Sequence, residues 1–184
     1  KIPGGFNKRE GKASEHAILT SRVIDRPMRP LFPKDYRNDV TLCNMVMSVD
    51  PECNPEIPAM LGASITTCIS DIPFDGPCAT TQIGLINGEY VVNPSLAQKE
   101  ISDLQLTVAS TREKVIMIEA GANEVPEDKM IEAIYKAHEV NQEIIAFIDK
   151  IVAECGKPKH SYESCAVPEE LFEAIKEIVP PEEM

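Results

Sequence analysis

Two residues, Asn87 and Gly88, separate the runs CATTQIGLI and EYVVNP, both rich in β-branched and apolar types. An Asn-Gly pair accepts the positive φ angles of a two-residue turn, so it ties its flanking runs into an antiparallel hairpin. That excludes a purely parallel, Rossmann-type sheet. Two further runs, 103–110 (DLQLTVAS) and 114–121 (KVIMIEAG), meet at the short polar step Thr111-Arg112-Glu113 and predict two more strands. Residues 40–49 (VTLCNMVMSV) alternate in the same manner and predict another.

Helical signals lie between and after these runs. Ser14 is placed to cap a helix running to about Asp25, where Pro27, Pro30 and Pro33 then forbid continuation. Asn54-Pro55-Glu56 combines a capping residue, a first-turn proline and a first-turn acid, which predicts a helix over roughly 55–70. Its Gly62-Ala63-Ser64 step is small enough to sit closely on a sheet. A long amphipathic helix is predicted from about Glu127 to Glu154, with Met130, Ile134, Ala137, Ile144, Ile148 and Ile151 on its apolar face and Gly156 as its cap. The resulting order is β, α, β-hairpin, β, β, α. This is an α+β arrangement, with helices packed on a mostly antiparallel sheet.

One domain is expected over residues 1–155. Residues 156–167 (GKPKHSYESCAV) are polar, contain Pro158 and predict a linker. Within residues 168–184, Pro168 to Val179 predict one more helix, with Leu171, Phe172, Ile175 and Ile178 on one face. A single such helix has nothing of its own to bury that face against, so it is expected to begin a further domain, truncated here.

Charge is distributed unevenly. The whole chain carries −12, which taken alone argues against a nucleic-acid partner. Residues 1–37, however, hold nine Lys or Arg against four acids, a balance of +5, and the remaining 147 residues carry −17. A basic end on an acidic body points to one anion-facing surface. No apolar run approaches the roughly 20 residues of a membrane helix, so no membrane partner is expected. Six cysteines without CxxC spacing predict reduced structural thiols and a cytoplasmic protein.

The familiar chemical signatures GxGxxG, the Walker loop, HExxH and GxSxG do not occur. His16, His138 and His160 are scattered and predict surface positions. Two segments stand out instead. Gly4-Gly5-Phe6-Asn7-Lys8-Arg9 places an aromatic ring and two cations on a glycine loop, the elements of a single-strand nucleic-acid grip. In Leu19–Pro33, Arg22, Arg26 and Arg29 recur at i, i+4 and i+7. They form one phosphate-binding row if the helix persists past Pro27, or a ladder paired with Asp25, Asp35 and Glu15.

KIPGGFNKREG, LTSRVIDRPMRPLFP, IPAMLGAS and INGEYVVNP, in that order, resemble the first RNase PH-type core of the bacterial polynucleotide phosphorylase family. The resemblance covers about 1–155, and the helix at 168–179 resembles the entry to that family's all-helical domain. It implies an RNase PH-type fold lacking its first strands. It further implies a homotrimeric ring around single-stranded RNA, and 3′-to-5′ phosphorolysis that consumes inorganic phosphate and releases nucleoside diphosphates with Mg²⁺ or Mn²⁺. The family's constriction loop has two aromatics followed by two cations; here it reads Phe6, Asn7, Lys8, Arg9, so Asn7 replaces one ring. RNA-binding residues are therefore expected at Phe6, Lys8, Arg9, Arg22, Arg26 and Arg29.

The family's Asp-rich metal motif and phosphate-binding Ser pair belong to its second core. The comparable segment here is Ser102-Asp103-Leu104-Gln105-Leu106, with one carboxylate where a Mg²⁺ site needs one or two together with substrate phosphate. No catalytic residue, metal ligand or bound cofactor is therefore expected in this chain. Its expected part is RNA binding and support of the ring. The alternatives are a core that keeps its own phosphorolytic activity and a non-catalytic interaction domain.

Overall fold

The computed structural model describes residues 13–179. Its elements are α1 (Glu15–Met28), a 3₁₀ turn (Arg29–Leu31), α2 (Glu56–Ile69), β1 (Ala79–Ile86), β2 (Glu89–Val92), α3 (Leu96–Glu100), β3 (Leu104–Ser110), β4 (Val115–Ala122), α4 (Glu127–Cys155) and α5 (Glu169–Ile178).

The hairpin organises the sheet. Asn87 and Gly88 take φ of 52° and 83°, and the turn closes on the pair Ile86–Glu89. β3 adds to the other side of β1 and β4 to β3, giving the antiparallel order β2-β1-β3-β4. Successive side chains of a strand point to opposite faces. On one face Ile83, Leu85, Leu104, Leu106 and Val108 pack with Ala133 and Ala137 of α4. On the other, Ala109 and Met117 join Cys78 and the inner residues of α1 and α2: Ile24, Met28, Ile57, Met60 and Ala63. The molecule is thus α+β with helices on an antiparallel sheet.

Four local expectations need correction. α1 does not stop at Asp25; it continues through Pro27 to Met28, and the Arg29 amide still reaches the Asp25 carbonyl. Ile24, Pro27 and Met28 are all buried, and that burial offsets the cost of about 3 kcal/mol that an internal proline imposes. Residues 40–49 form no strand. Among the described residues they have no neighbouring strand, and Met45, Val46, Met47 and Val49 are exposed. An alternating pattern makes a strand only where a ladder partner meets it.

Gly62 faces open space, and it is Ala63 and Ser64 that are buried, with Ser64 Oγ accepting from the Cys78 amide at 3.1 Å. On α4 the expected apolar face is the inner one: Ala137 and Ile148 are buried, Met130 and Ile134 pack half-buried against the core, and Ala133, Asn141 and Ile145 are buried beside them. Gly156 ends that helix in an extended conformation rather than a left-handed one; any Cβ there would run into the Val152 carbonyl.

The buried face of α4 also carries one polar residue, Asn141. Asn141 Oδ1 accepts from Thr81 Oγ1 at 2.7 Å, and its Nδ2 donates to the Val108 carbonyl at 3.1 Å and to Ser110 Oγ at 3.0 Å. With every donor and acceptor engaged, this network joins α4 to β1 and β3 without an orphaned polar group.

Residues 156–167 contain neither helix nor strand, yet they are bonded along the body. The amides of Lys157, His160 and Cys165 donate to the carbonyls of Ile69, Asp71 and Asp35. Beyond them, α5 exposes Leu171, Phe172 and Ile175.

Candidate functional site

The continuation of α1 through Pro27 decides the geometry of the arginines. With the turn at Arg29 still helical in φ and ψ, Arg22, Arg26 and Arg29 share the solvent face of one element, and all three are exposed. Their chemical states differ. Arg29 is bound to Asp25 through two guanidinium nitrogens, Nε at 3.0 Å and Nη2 at 2.7–2.8 Å. Arg22 and Arg26 make no ion pair among the described residues. Of the proposed ladder, only the Asp25–Arg29 rung is present. Asp35 is engaged elsewhere, accepting from Tyr162 Oη at 2.8 Å and Ser164 Oγ at 2.5 Å. Phe6, Lys8 and Arg9 lie outside the described residues.

Two clefts flank α1. The larger, about 910 Å³, runs between α1 and residues 36–46; Ile24, Met28, Phe32 and Leu42 are among its apolar lining residues, and Asp25 and Arg29 also line it. The smaller, about 350 Å³, lies between α1, the start of α2 and the sheet, with Gln82, Lys99, Gln105, Thr107 and Glu119 among its polar lining. Glu56 borders both. Its carboxylate accepts from Asn54 Nδ2 at 2.7 Å and from Thr20 Oγ1 at 3.3 Å, with His16 Nε2 at 3.5 Å. Lys99 is held below the ordinary lysine value by burial, opposed by the nearby Glu56 charge. Arg22 and Arg26 line neither cleft; they lie on the exposed side of the helix.

Asp103 is exposed, and its backbone is tied to Leu85 and Asn123. Gln105, two residues on, donates to the Lys99 carbonyl at 3.3 Å and occupies the smaller cleft. Among the described residues no group of three or more His, Cys, Asp or Glu is placed to share a metal ion. None of their helices is long and apolar enough to cross a membrane. Sequence reasoning missed Glu56 and Lys99 as cleft residues. They stand 43 positions apart in chain order with no shared pattern, and only the packing of α2 against the sheet brings them together.

The 3′ exoribonuclease family supplies two matches, its domain 1 over residues 2–73 and its domain 2 over residues 76–140. A polyribonucleotide nucleotidyltransferase of Lachnoclostridium phytofermentans is 78% identical over 184 residues, all of this chain and 26% of the relative. One from Ruminiclostridium cellulolyticum is 58% identical over 177 residues, 96% of this chain and 25% of the relative. The chain thus spans about a quarter of the length of these curated relatives. Among solved structures, the crystal structure of rice (Oryza sativa) Rrp46 superposes with a TM-score of 0.60 at 10% identity, covering 78% of this chain and 68% of that one. At that identity the likeness concerns the fold.

Proposed function

This chain belongs to the 3′ exoribonuclease family, and from that premise we propose that it is part of a polyribonucleotide nucleotidyltransferase whose own contribution is to hold RNA. In the proposal the whole enzyme shortens single-stranded RNA from its 3′ end, using inorganic phosphate to release nucleoside diphosphates. It does so in the cytoplasm, as a homotrimer that needs Mg²⁺ or Mn²⁺. The domain formed by residues 1–155 supports the ring and grips the RNA backbone. Residues 156–167 connect it to an all-helical part that begins at 168.

The observation that carries this reading is the exposed row Arg22, Arg26 and Arg29 on α1, in which two guanidiniums have no acidic partner among the described residues. Guanidiniums on a solvent-facing helix meet phosphates without first being desolvated in a pocket. Phe6, Lys8 and Arg9, preceding the same helix in sequence, would add a stacking ring and two further cations.

The residues present do not fit a Mg²⁺ site. Asp103 supplies one carboxylate and Gln105 an amide in place of a second. The proposal therefore gives this domain binding and positioning roles and no chemical step.

The test is a salt titration of single-stranded RNA binding. Backbone-directed contacts give a steep fall of affinity with salt, and each phosphate contact removed flattens the slope by about 0.7. Replacing both Lys8 and Arg9 by Ala, and separately both Arg22 and Arg26, is expected to lower affinity and flatten the slope. An unchanged slope in either pair removes that pair from the RNA surface.

A further inference from the structure

The segment between α4 and α5 has the composition of a free linker, but its hydrogen bonds are those of a fastened strap. Lys159 Nζ donates to three main-chain carbonyls at the end of α2: Thr67 at 3.1 Å, Cys68 at 2.9 Å and Ser70 at 2.7 Å. The last carbonyls of a helix lack intrahelical donors and carry its negative end. One ammonium group therefore both satisfies them and holds the chain that bears it. The neighbouring His160 amide adds a bond of 2.7 Å to the Asp71 carbonyl.

A second attachment follows a few residues later, on a different element. Asp35 lies just past the 3₁₀ turn that ends the arginine-bearing helix. Its carboxylate takes the hydroxyls of Tyr162 and Ser164, one on each oxygen, while its carbonyl takes the Cys165 amide at 3.2 Å. Between the two attachments, Tyr36 packs its ring against His160 at 5.9 Å and edge-on against Tyr162 at 5.0 Å. Hydrogen bonding from Ser164 and then Tyr162 draws the Asp35 carboxyl below its ordinary value, and the bond to Asp35 draws the Tyr162 phenol above its own. Both directions are those expected of an engaged carboxylate.

We propose that residues 157–165 form a two-point clasp, Lys159 on the end of α2 and Tyr162–Ser164 on Asp35, that sets where α5 leaves the body. Both points are multidentate: Lys159 Nζ binds three carbonyls, and Asp35 binds two hydroxyls and the Cys165 amide. With two residues between Lys159 and Tyr162, loss of the Asp35 point loosens the Lys159 point with it. Because Asp35 follows directly on the arginine-bearing helix, the clasp also couples that helix to the position of α5. This inference stands apart from any role of the arginines in RNA binding.

Trypsin offers a direct readout, since the Lys159–His160 bond is its substrate and Lys157, followed by Pro158, is a poor one. In the unaltered chain the Lys159–His160 bond is expected to be cut slowly. Asp35→Ala is expected to raise its rate about tenfold, with Lys159→Arg used to confirm the assignment of the cut. Cleavage after Lys136 and Lys150, inside α4, reports global unfolding and should stay unchanged. If Asp35→Ala speeds all sites together, the pair Tyr162→Phe with Ser164→Ala, which leaves the body intact, decides the matter through amide exchange of Cys165. Faster Cys165 exchange supports the clasp. Equal rates before and after either substitution overturn it.

Discussion

Thr81 Oγ1 donates to Asn141 Oδ1 at 2.7 Å in the closed core, so the buried amide of α4 is tied to the first strand of the sheet. Replacing Asn141 by Ala leaves the Thr81 and Ser110 hydroxyls and the Val108 carbonyl without their partner. The expected loss is about 2–4 kcal/mol, because each orphaned buried group still bears its desolvation cost with no hydrogen bond to offset it. Urea unfolding would measure it. Adding Thr81→Val should recover part of the loss by removing one orphan; a double variant as unstable as the sum of the two single changes would contradict this.

Asp25 competes with any phosphate for the Arg29 guanidinium. Asp25→Asn should therefore release Arg29 and tighten single-stranded RNA binding, whereas Arg29→Ala should weaken it less than Arg22→Ala or Arg26→Ala. Fluorescence anisotropy with a labelled oligoadenylate at two salt concentrations tests the order. Weaker binding by Asp25→Asn would mean that the pair, and not the free cation, is what the partner meets.

Phosphorolysis should be absent from this chain alone. With oligoadenylate, phosphate and either Mg²⁺ or Mn²⁺, no ADP is expected, and Gln105→Asp should create none, since stabilising a displacement at phosphorus needs a positioned metal and a phosphate clamp together. Sustained ADP formation that vanishes in Asp103→Asn would assign a working site to this domain.

Thiol reactivity should divide the cysteines into two sets. Cys43, Cys53, Cys155 and Cys165 are exposed, and Cys68 and Cys78 are buried. Burial pushes the Cys78 thiol up to about 11 and raises Cys68 as well. The thiolate is the nucleophile, so a raised value means less of it at neutral pH and reactivity that grows only as pH approaches 11. Iodoacetamide at pH 8 should modify four sites in the native chain and six after denaturation, counted by mass spectrometry. Early modification of Cys78 would show that the core between α1 and the sheet opens readily.

Much of this architecture was legible in the residues because its signals are local. Asn87-Gly88 requires nothing distant to specify a turn, Ser14 caps from its own side chain, and α4 repeats its apolar residues over many turns. The misreadings share one cause, dependence on a remote partner. Residues 40–49 carry a strand's alternation, but pairing is a property of two segments. Pro27 argues for a helix end locally and is overruled by the burial of Ile24, Pro27 and Met28. The bonds of Lys159 and Asp35 to residues about 90 and 130 positions away in the chain leave no trace in a stretch that reads GKPKHSYESCAV. For the site, the spacing of Arg22, Arg26 and Arg29 was visible, whereas the pairing of Arg29 with Asp25 and the meeting of Glu56 with Lys99 depend on rotamers and packing.

The apolar cluster that holds Ile24, Met28, Ile57 and Met60 against Cys78, Ala109 and Met117 crosses the boundary at which one matched family segment gives way to the next. Neither segment could be excised with its interior intact: residues 2–73 would carry two helices with their inner faces wet, and residues 76–140 a sheet bare on one side. What has been inherited as two recognisable stretches of sequence must therefore be inherited together as a single folding unit, and an exchange of either stretch between relatives would succeed only if the side chains meeting across that boundary were exchanged with it.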